Sequence, residues 1–212
     1  MKLFFDFDDV LFNTKKFKKD YLKFFEKHGI SKEIFDKHYY NPLDRGEIKH
    51  YDPVQHIRRI SQDLGGVNNE LEESIEKFVS NTSKYVFFDV ADFLQKFNKK
   101  DLFMVSYSET DFQKLKILNS GVAKFFKLIA ITNKTKGEAV RKIIKENEID
   151  MESEEIFFME DRILQIEDVK TKYPRIKSIL CKRKEGRYMD RRNKFCDFEC
   201  ENLEEVEKII LK

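Results

Sequence analysis

The stretch FFDFDDVLFNT, residues 4–14, places Asp6, Asp8 and Asp9 within a run of phenylalanines and aliphatic residues. Carboxylates are costly in an apolar core unless cations or hydrogen bonds compensate them. The apolar residues are typical of a short buried strand, which we predict over residues 2–8. Two acids directly after an apolar strand therefore suggest a site at the end of that strand.

The chain from residue 85 onward alternates between strand-like and helix-like patterns. Strand-like runs lie at 102–106, 128–132, 155–160, 177–181 and 196–200, and helix-like runs lie at 89–98, 109–119, 136–146, 162–172 and 203–211. Continuous apolar strands that alternate with helices are typical of parallel sheets covered on both faces. We predict an α/β fold with a doubly wound, mainly parallel, Rossmann-like sheet.

The residues between the first strand and residue 85 show helical signals and no convincing strand. The helical signals are an apolar period over 14–29, a Ser31 N-cap, an Asp52–Pro53 helix start and a further helix within 68–85. We predict an α/β core domain formed by residues 1–14 and 85–212, with an all-helical domain inserted at residues 15–84.

Composition excludes several classes of protein. The chain has 212 residues, and its 41 Lys+Arg and 39 Asp+Glu residues leave a net charge of only +2, which does not favour nucleic-acid or membrane partners. No apolar run approaches the roughly 18 residues of a transmembrane helix, and residues 1–9 do not have the pattern of a signal-peptide h-region. Cys181, Cys196 and Cys200 lack a CxxC pattern, so we expect reduced thiols and a cytoplasmic protein.

Polar side chains follow each predicted strand. In doubly wound folds the ligand crevice lies outside the carboxyl ends of the strands, so these side chains should converge. Acids with a hydroxyl group and a lysine fit a site for a divalent cation and a phosphate. The residues concerned are Asp6 and Asp8, then Ser106, Tyr107 and Ser108, then Lys134 and Lys136, and finally Glu160 and Asp161.

Four segments in this order resemble the motifs of the haloacid dehalogenase superfamily of phosphatases. They are FDFDDV (5–10), FMVSYS (103–108), TKGEAV (135–140) and FFMEDR (157–162). The helical insert follows the first motif, where such enzymes have a cap domain. The resemblance implies a phosphatase with a haloacid dehalogenase-like core.

The resemblance also implies a role for each matching residue. Asp6 would be the nucleophile that forms an aspartyl-phosphate, and Asp8 would be the general acid and then the base. Ser106 would hold a phosphate oxygen, and Lys136 would neutralise the phosphate and Asp6. Asp6, the backbone carbonyl of Asp8 and Asp161 would bind Mg²⁺. Because the dehalogenase branch lacks the second acid, Asp8 favours a phosphoryl substrate.

Several positions depart from the motif or allow alternatives. Lys134 is a second choice for the lysine, and Ser108 could replace Ser106. Glu160 stands where Gly or Asp is usual, and we assign it a supporting role beside the metal ligand Asp161. Gln165 stands where a further Asp is common.

Two other assignments concern residues close to the motifs. Asp9 stands where Gly is frequent in the family, and we expect it to shape a turn without a chemical role. Tyr107 directly follows Ser106, and we expect it to contact the substrate together with Ser106 and Lys136.

We therefore predict a Mg²⁺-dependent phosphatase acting on a small phosphomonoester, such as a nucleoside monophosphate, a sugar phosphate or a phosphoglycolate-like acid. One alternative is a non-catalytic phosphate- or partner-binding protein. Another is a nucleic-acid end phosphatase that uses the basic run Lys182–Arg192, which we otherwise interpret as a solvated loop. The sequence leaves the oligomeric state open.

The helical insert contains other residues that could take part in binding. We interpret its histidines as surface or groove residues and its adjacent arginines as candidates to meet an anionic substrate. These residues are His28, His38, His50 and His56, together with Arg58 and Arg59.

Overall fold

Six parallel strands form one sheet in this computed structural model, which describes residues 1–43, 51–66 and 70–211. The strands are β1 (Lys2–Phe5), β2 (Leu102–Tyr107), β3 (Leu128–Thr132), β4 (Ile156–Glu160), β5 (Lys177–Cys181) and β6 (Phe198–Cys200). Their order is β3-β2-β1-β4-β5-β6, and every pairing is parallel. The predicted doubly wound α/β sheet is confirmed. Because β1 lies between β2 and β4, the chain reverses its winding at the end of β1, where such sheets bind ligands.

Helices connect all consecutive strands except β5 and β6, and several lie in the segment between β1 and β2. They are α1 (Thr14–Lys27), α2 (Lys32–Tyr39), α3 (Pro53–Leu64), α4 (Glu70–Val79), α5 (Val90–Leu94), α6 (Asp111–Asn119), α7 (Lys136–Glu146), α8 (Ile163–Lys172) and α9 (Leu203–Ile210). None of the described residues between α1 and α4 belongs to a strand. No helix in the described ranges is long and apolar enough to cross a membrane.

Local capping signals set the helix boundaries within the insert. Ser31 accepts a hydrogen bond from the backbone N–H of Ile34 at the start of α2, and Asp52 caps α3 in the same way. Gly65 ends α3 with φ of 73°, a left-handed conformation that glycine adopts without steric cost. The helix predicted over 89–98 is shorter, because α5 spans only Val90–Leu94.

The first strand is shorter than predicted, since it ends at Phe5. Beyond it the chain turns sharply, and the backbone N–H groups of Leu11 and Phe12 both donate to the carbonyl of Phe7. Asp9 within this turn has φ of 57°. The acids of the first motif therefore lie in a turn beyond the carboxyl end of β1, and Asp6 and Asp9 are buried there.

Strand β1 is buried on both faces, which explains its phenylalanines. Phe4 stacks on Phe103 on one face of the sheet, with ring centroids 4.9 Å apart. Phe5 packs against Phe93 on the other face. On that second face the apolar core continues into the helical insert through Phe17, which contacts Phe12. The two regions therefore share a core, and the domain boundaries at residues 14 and 85 stay a prediction.

Candidate active site

A cavity of about 320 Å³ opens at the carboxyl end of β1. Its walls are formed by residues at the carboxyl ends of the strands, by α1 and α6, and by the segment that follows β5. Every residue predicted for the site lines this one cavity: Asp6, Asp8, Ser106, Tyr107, Lys136 and Asp161. The structure therefore brings together the residues that the strand-end argument selected, and their assignment as a functional site and their chemical roles stay predictions.

Lys136 connects two carboxylates at the bottom of the cavity. Its Nζ lies 2.7 Å from Oδ1 of Asp6 and 2.6 Å from Oε2 of Glu160, and its side chain is only 2% exposed. Burial alone would lower the pKa of Lys136, but the two carboxylates outweigh it and raise the pKa. Lys134 is exposed and does not line the cavity, so the geometry favours Lys136 as the motif lysine.

The start of α7 is built to place Lys136 at this point. Thr135 caps the helix by accepting the backbone N–H of Glu138. Gly137 donates its N–H to Oδ2 of Asp168 on α8, at 2.6 Å. A Cβ on Gly137 would lie 2.7 Å from the side chain of Lys172, so glycine allows the two helices to approach closely.

Three buried acids meet beside Lys136. One oxygen each from Asp6, Glu160 and Asp161 lie within 4.8 Å of one another. Oε1 of Glu160 accepts the backbone N–H groups of Asp161 and Arg162, each at 3.2 Å, and Oε2 accepts Lys136. By contrast, Oδ2 of Asp161 is buried without a hydrogen-bond partner. Glu160 is thus held by protein groups, whereas Asp161 has an oxygen available for a ligand.

The electrostatics of this cluster favour a bound cation. Burial and the neighbouring Glu160 carboxylate raise the pKa of Asp6 to about 7, against the attraction of Lys136. Burial and the same carboxylate raise the pKa of Asp161 well above its usual value. A divalent cation would favour the ionised form of both groups, and carboxylate oxygens are the ligands that Mg²⁺ uses. The residues present therefore fit such an ion.

Asp8 is held in a different environment on the other side of the cavity. It accepts hydrogen bonds from Thr14 Oγ1 at 2.6 Å and Gln113 Nε2 at 2.7 Å, and Lys116 Nζ lies 2.9 Å away. Burial alone would raise the pKa of Asp8, but the charges of Lys116 and Arg187 outweigh it and lower the pKa. Asp8 is therefore ionised at neutral pH.

Ser106 is linked to Asp8 through α6. Its hydroxyl accepts Gln113 Nε2 at 2.8 Å, and Gln113 Oε1 in turn accepts Lys116 Nζ at 2.8 Å. Ser108 also lines the cavity, but its hydroxyl bonds to the backbone of Thr110 within its own loop. The geometry favours Ser106 as the serine that faces the reacting group.

Sequence reasoning missed Gln113 and Lys116. Both side chains are buried on α6, where the adjacent residues Phe112 and Ile117 are apolar and also buried. Residues three apart share a helix face, so two polar residues at this spacing on an apolar face are a signal that could have identified them.

The basic run Lys182–Arg192 is more than a solvated loop, and that interpretation is wrong for Arg183. The Arg183 side chain is only 3% exposed, and its Nη1 lies 2.6 Å from Oδ2 of Asp89. It also donates to the carbonyl of Val10 from Nε and Nη2. The buried turn after β1 needs these donors, because an unpaired carbonyl in the interior is costly.

Arg187, from the same run, pairs with a buried carboxylate while its own side chain is partly exposed. Its Nε donates to Oδ2 of Asp9, a carboxylate that is only 1% exposed, and the arginine lines the cavity. Asp9 is thus the anchor of a wall of the site. The positive φ of Asp9 agrees with the prediction that it shapes the turn. Its side chain also forms an ion pair with Arg187, which the sequence did not indicate.

The helical insert places aromatic groups and one amine over the cavity. Tyr39, Tyr40 and Tyr51 line it together with Phe17 and Lys18 from α1. The insert therefore contributes directly to the walls of the site, which agrees with a cap position.

Two interpretations of residues in the insert are corrected. His56 is fully buried rather than on the surface, and its ring nitrogens lie 3.0 Å from the carbonyl of Phe35 and 3.0 Å from the hydroxyl of Tyr51. Arg59 donates to the carbonyl of His38, and Arg58 is exposed. Neither arginine lines the cavity, so the structure does not support them as substrate contacts.

The other histidines differ in their environments. His28 is exposed, and His38 lies 3.0 Å from a carboxylate oxygen of Asp63 near the surface. His50 lies outside the described residues.

Solved structures share this fold over nearly the whole chain. A protein described as the HAD-hydrolase YfnB from Bacillus subtilis, in a structure bound to magnesium, matches with a TM-score of 0.66 at 16% identity, covering 99% of this chain and 97% of that one. L-2-haloacid dehalogenase from Xanthobacter autotrophicus matches with a TM-score of 0.63 at 10% identity, covering 99% of this chain and 98% of that one.

A protein described as a phosphatase from Clostridium difficile matches with a TM-score of 0.60 at 18% identity, covering 98% of this chain and 97% of its own. Comparison with protein-family models and with curated proteins finds no match. At these identities the similarity establishes the fold. The predicted resemblance is confirmed at that level, and the chain has the haloacid dehalogenase-like α/β fold.

Proposed function

We propose that this protein is a Mg²⁺-dependent phosphatase that hydrolyses a small phosphomonoester through an aspartyl-phosphate on Asp6. The observation that supports it best is the buried Asp6–Lys136–Glu160 network beside the unpartnered oxygen of Asp161. In this proposal Asp6 is the nucleophile, Lys136 is the cation that offsets charge, and Asp161 is a metal ligand.

In the first step, a carboxylate oxygen of Asp6 attacks phosphorus, the bond from phosphorus to the ester oxygen breaks, and the leaving group departs as an alkoxide that takes its proton from water. Lys136 offsets the charge of the transferred phosphoryl group, which is a large source of catalysis when the cation is already in place. The hydroxyl of Ser106 donates to a phosphoryl oxygen, while its own oxygen accepts Gln113. Tyr107 lines the same cavity and is placed to contact the substrate.

The Mg²⁺ ion would be held by Asp6, Asp161 and the backbone carbonyl of Asp8. Glu160 would have a supporting role beside Asp161. When bound, the ion supplies positive charge to the phosphoryl oxygens and to the acids around it. The magnesium-bound YfnB structure supports this assignment by analogy of fold.

In the second step, Asp8 takes a proton from the water that hydrolyses the aspartyl-phosphate. Its ionised state suits a base. The same state is less suited to protonating a leaving alcohol, because the ion pair with Lys116 at 2.9 Å favours the carboxylate. We infer that the first step depends strongly on how well the alcohol leaves.

The fold is also compatible with dehalogenation, because L-2-haloacid dehalogenase shares it. Asp8 argues for phosphoryl transfer, because the dehalogenase branch lacks this second acid. It lies in the cavity and is held there by three protein contacts. We further propose that residues 15–84 act as a cap that keeps water out during attack, and that the protein acts in the cytoplasm.

Turnover of a panel of small phosphomonoesters, including an aryl phosphate, tests the proposal. We expect hydrolysis with Mg²⁺, loss of hydrolysis with EDTA and no hydrolysis by Asp6→Asn. Asp92→Asn, which changes an exposed aspartate, is the matched control. Wild-type turnover no higher than that of Asp6→Asn on every ester would favour the non-catalytic alternative.

A nucleic-acid end phosphatase would instead act best on terminal phosphates of oligonucleotides. Its affinity would fall steeply with salt. The contacts of Arg183 and Arg187 weaken this alternative, because Arg183 is buried against Asp89 and Arg187 is paired with the buried Asp9.

A further inference from the structure

Lys18 on α1 differs from the other cations that line the cavity. Its Nζ donates to the hydroxyl of Tyr40 at 3.1 Å and lies 4.5 Å from the ring centroid of Tyr39. It forms no ion pair with any carboxylate in the described part of the chain. Each of the other lining cations has a carboxylate partner: Lys116 with Asp8, Lys136 with Asp6, Arg162 with Asp190 and Arg187 with Asp9.

Lys18 comes from a different part of the chain than the proposed phosphoryl-transfer residues. Those residues come from the sheet edge, whereas Lys18 belongs to the helical insert, as do Tyr39 and Tyr51 on the same wall. The aromatic rings hold the ammonium by cation–π contact but supply no negative charge. Lys18 is thus a half-buried positive charge that lines the cavity. It lies on the wall formed by the helical insert, where we expect the leaving group of the ester to bind.

The surroundings of Lys18 favour an anion there. Burial and the charge of Arg187 lower the pKa of Lys18 to about 8, against the attraction of Asp8 and Asp9. An anionic group bound at Lys18 would favour its ammonium form and supply the ion-pair partner that the described residues do not.

We propose that the substrate is a small phosphomonoester whose leaving group bears a second anionic group, which binds Lys18 with Arg187 beside it. This inference rests on the proposed function and deepens it. The cavity of about 320 Å³ restricts the ester to a small metabolite. A neutral sugar phosphate would fill the same space but would leave Lys18 without a counter-charge.

Pairs of esters in which a hydroxymethyl group replaces a carboxylate test the inference. Phosphoglycolate is compared with 2-hydroxyethyl phosphate, and 3-phosphoglycerate with glycerol 3-phosphate. The measured quantity is the ratio of kcat/KM for the ester with the carboxylate to kcat/KM for the matching ester with the hydroxymethyl group. A bisphosphate, glycerol 1,3-bisphosphate, distinguishes a second phosphate from a carboxylate as the preferred anion.

We expect wild-type protein to favour at least one anionic ester, and Lys18→Met to reduce that ratio about 10- to 100-fold, the range expected for a lost charged hydrogen bond. Lys18→Arg keeps the charge and should retain most of the preference. Lys18→Gln is a second neutral variant in case the methionine variant does not fold. Lys19→Met, at an exposed position of the same helix, should leave the ratio unchanged.

A ratio near one in wild-type protein, or an unchanged ratio in both neutral variants, overturns the inference. An equal loss on both esters also overturns it, because it would mean that Lys18 contacts the transferred phosphate.

A binding measurement separates this inference from the proposed activity. If no ester is hydrolysed, the phosphatase proposal fails, and calorimetry with 3-phosphonopropionate and propylphosphonate still tests Lys18. Tighter binding of the former by about tenfold or more, lost in Lys18→Met, supports the anion site. Equal binding of the two probes, or binding of neither, overturns it.

Discussion

The ammonium of Lys136 lies 2.7 Å from Oδ1 of Asp6, with both side chains almost completely buried. Asp6 follows the central strand β1, whereas Lys136 opens helix α7, so the pair joins two elements far apart in the chain. The cation that neutralises the proposed nucleophile is therefore part of the folded protein before any substrate binds. This pre-organisation is what electrostatic catalysis requires.

Replacement of Lys136 by Met should separate the two candidate lysines. We expect kcat on an aryl phosphate to fall about 10²- to 10³-fold, the loss typical of removing one preorganised charge-stabilising group. The variant should also lose about 3–5 kcal/mol of stability, because Asp6 and Glu160 would remain buried without their cation. Steady-state kinetics and urea denaturation measure the two effects. Lys134→Met, at an exposed position, should change neither, and an equal loss there would contradict the assignment.

Removal of the unpartnered carboxylate at Asp161 should abolish the response to Mg²⁺. An ion present at 100 times its Kd stabilises the folded state by about 2.7 kcal/mol, which is roughly 5–10 °C in Tm for a chain of this size. We expect such a rise for wild-type protein and none for Asp161→Asn. Differential scanning fluorimetry with MgCl₂ and with EDTA measures it. The same Tm rise in Asp161→Asn as in Asp92→Asn would exclude Asp161 as a ligand.

The ion pair between Lys116 and Asp8 should make turnover sensitive to the leaving group. Because Asp8 is held as a carboxylate, wild-type kcat/KM should fall steeply as the pKa of the leaving alcohol rises across a series of aryl and alkyl phosphates. Removing the charge in Lys116→Met lets the pKa of Asp8 rise, so the dependence should become shallower.

The slope of log kcat/KM against leaving-group pKa measures this effect. Lys114→Met, at an exposed position on the same helix, should retain the wild-type slope. An equally shallow slope in wild-type protein would mean that Asp8 donates a proton despite its pairing.

The buried His56 should make the protein less stable in acid. Burial lowers its pKa from 6.5 to about 4, so between these values the unfolded chain binds a proton that the folded protein does not. Stability from this group is therefore complete above pH 6.5 and is lost as the pH falls toward 4. The loss at pH 4.5, relative to pH 7, should be about 2–3 kcal/mol.

Urea denaturation of wild-type protein and His56→Gln at the two pH values isolates this contribution. The stability advantage of wild-type protein should shrink by that amount between pH 7 and pH 4.5. His28→Gln, which changes an exposed histidine, should track wild-type protein at both pH values. A constant difference between wild-type protein and His56→Gln would show that His56 is neutral in both states or charged in both.

Much of the fold and of the site was predictable because the relevant signals are local. Strands β3 and β5 and helix α7 lie at the predicted residues, since apolar runs and capping residues are read over a few positions. The site residues follow from the same signals. In a parallel sheet all carboxyl ends share one edge, so a polar residue after each strand is enough to bring Asp6, Ser106 and Asp161 together.

What the tertiary structure alone decided is how the charges are paired. Lys116 meets Asp8 across 108 residues, and Arg187 meets Asp9 across 178 residues. No helical or strand period relates such distant positions, and many of the 41 basic residues could have been their partners. The local pattern of apolar and acidic residues is enough to predict that acids lie at the end of β1. Packing around that buried end selected their cations, because only a side chain that reaches the interior can offset a carboxylate there.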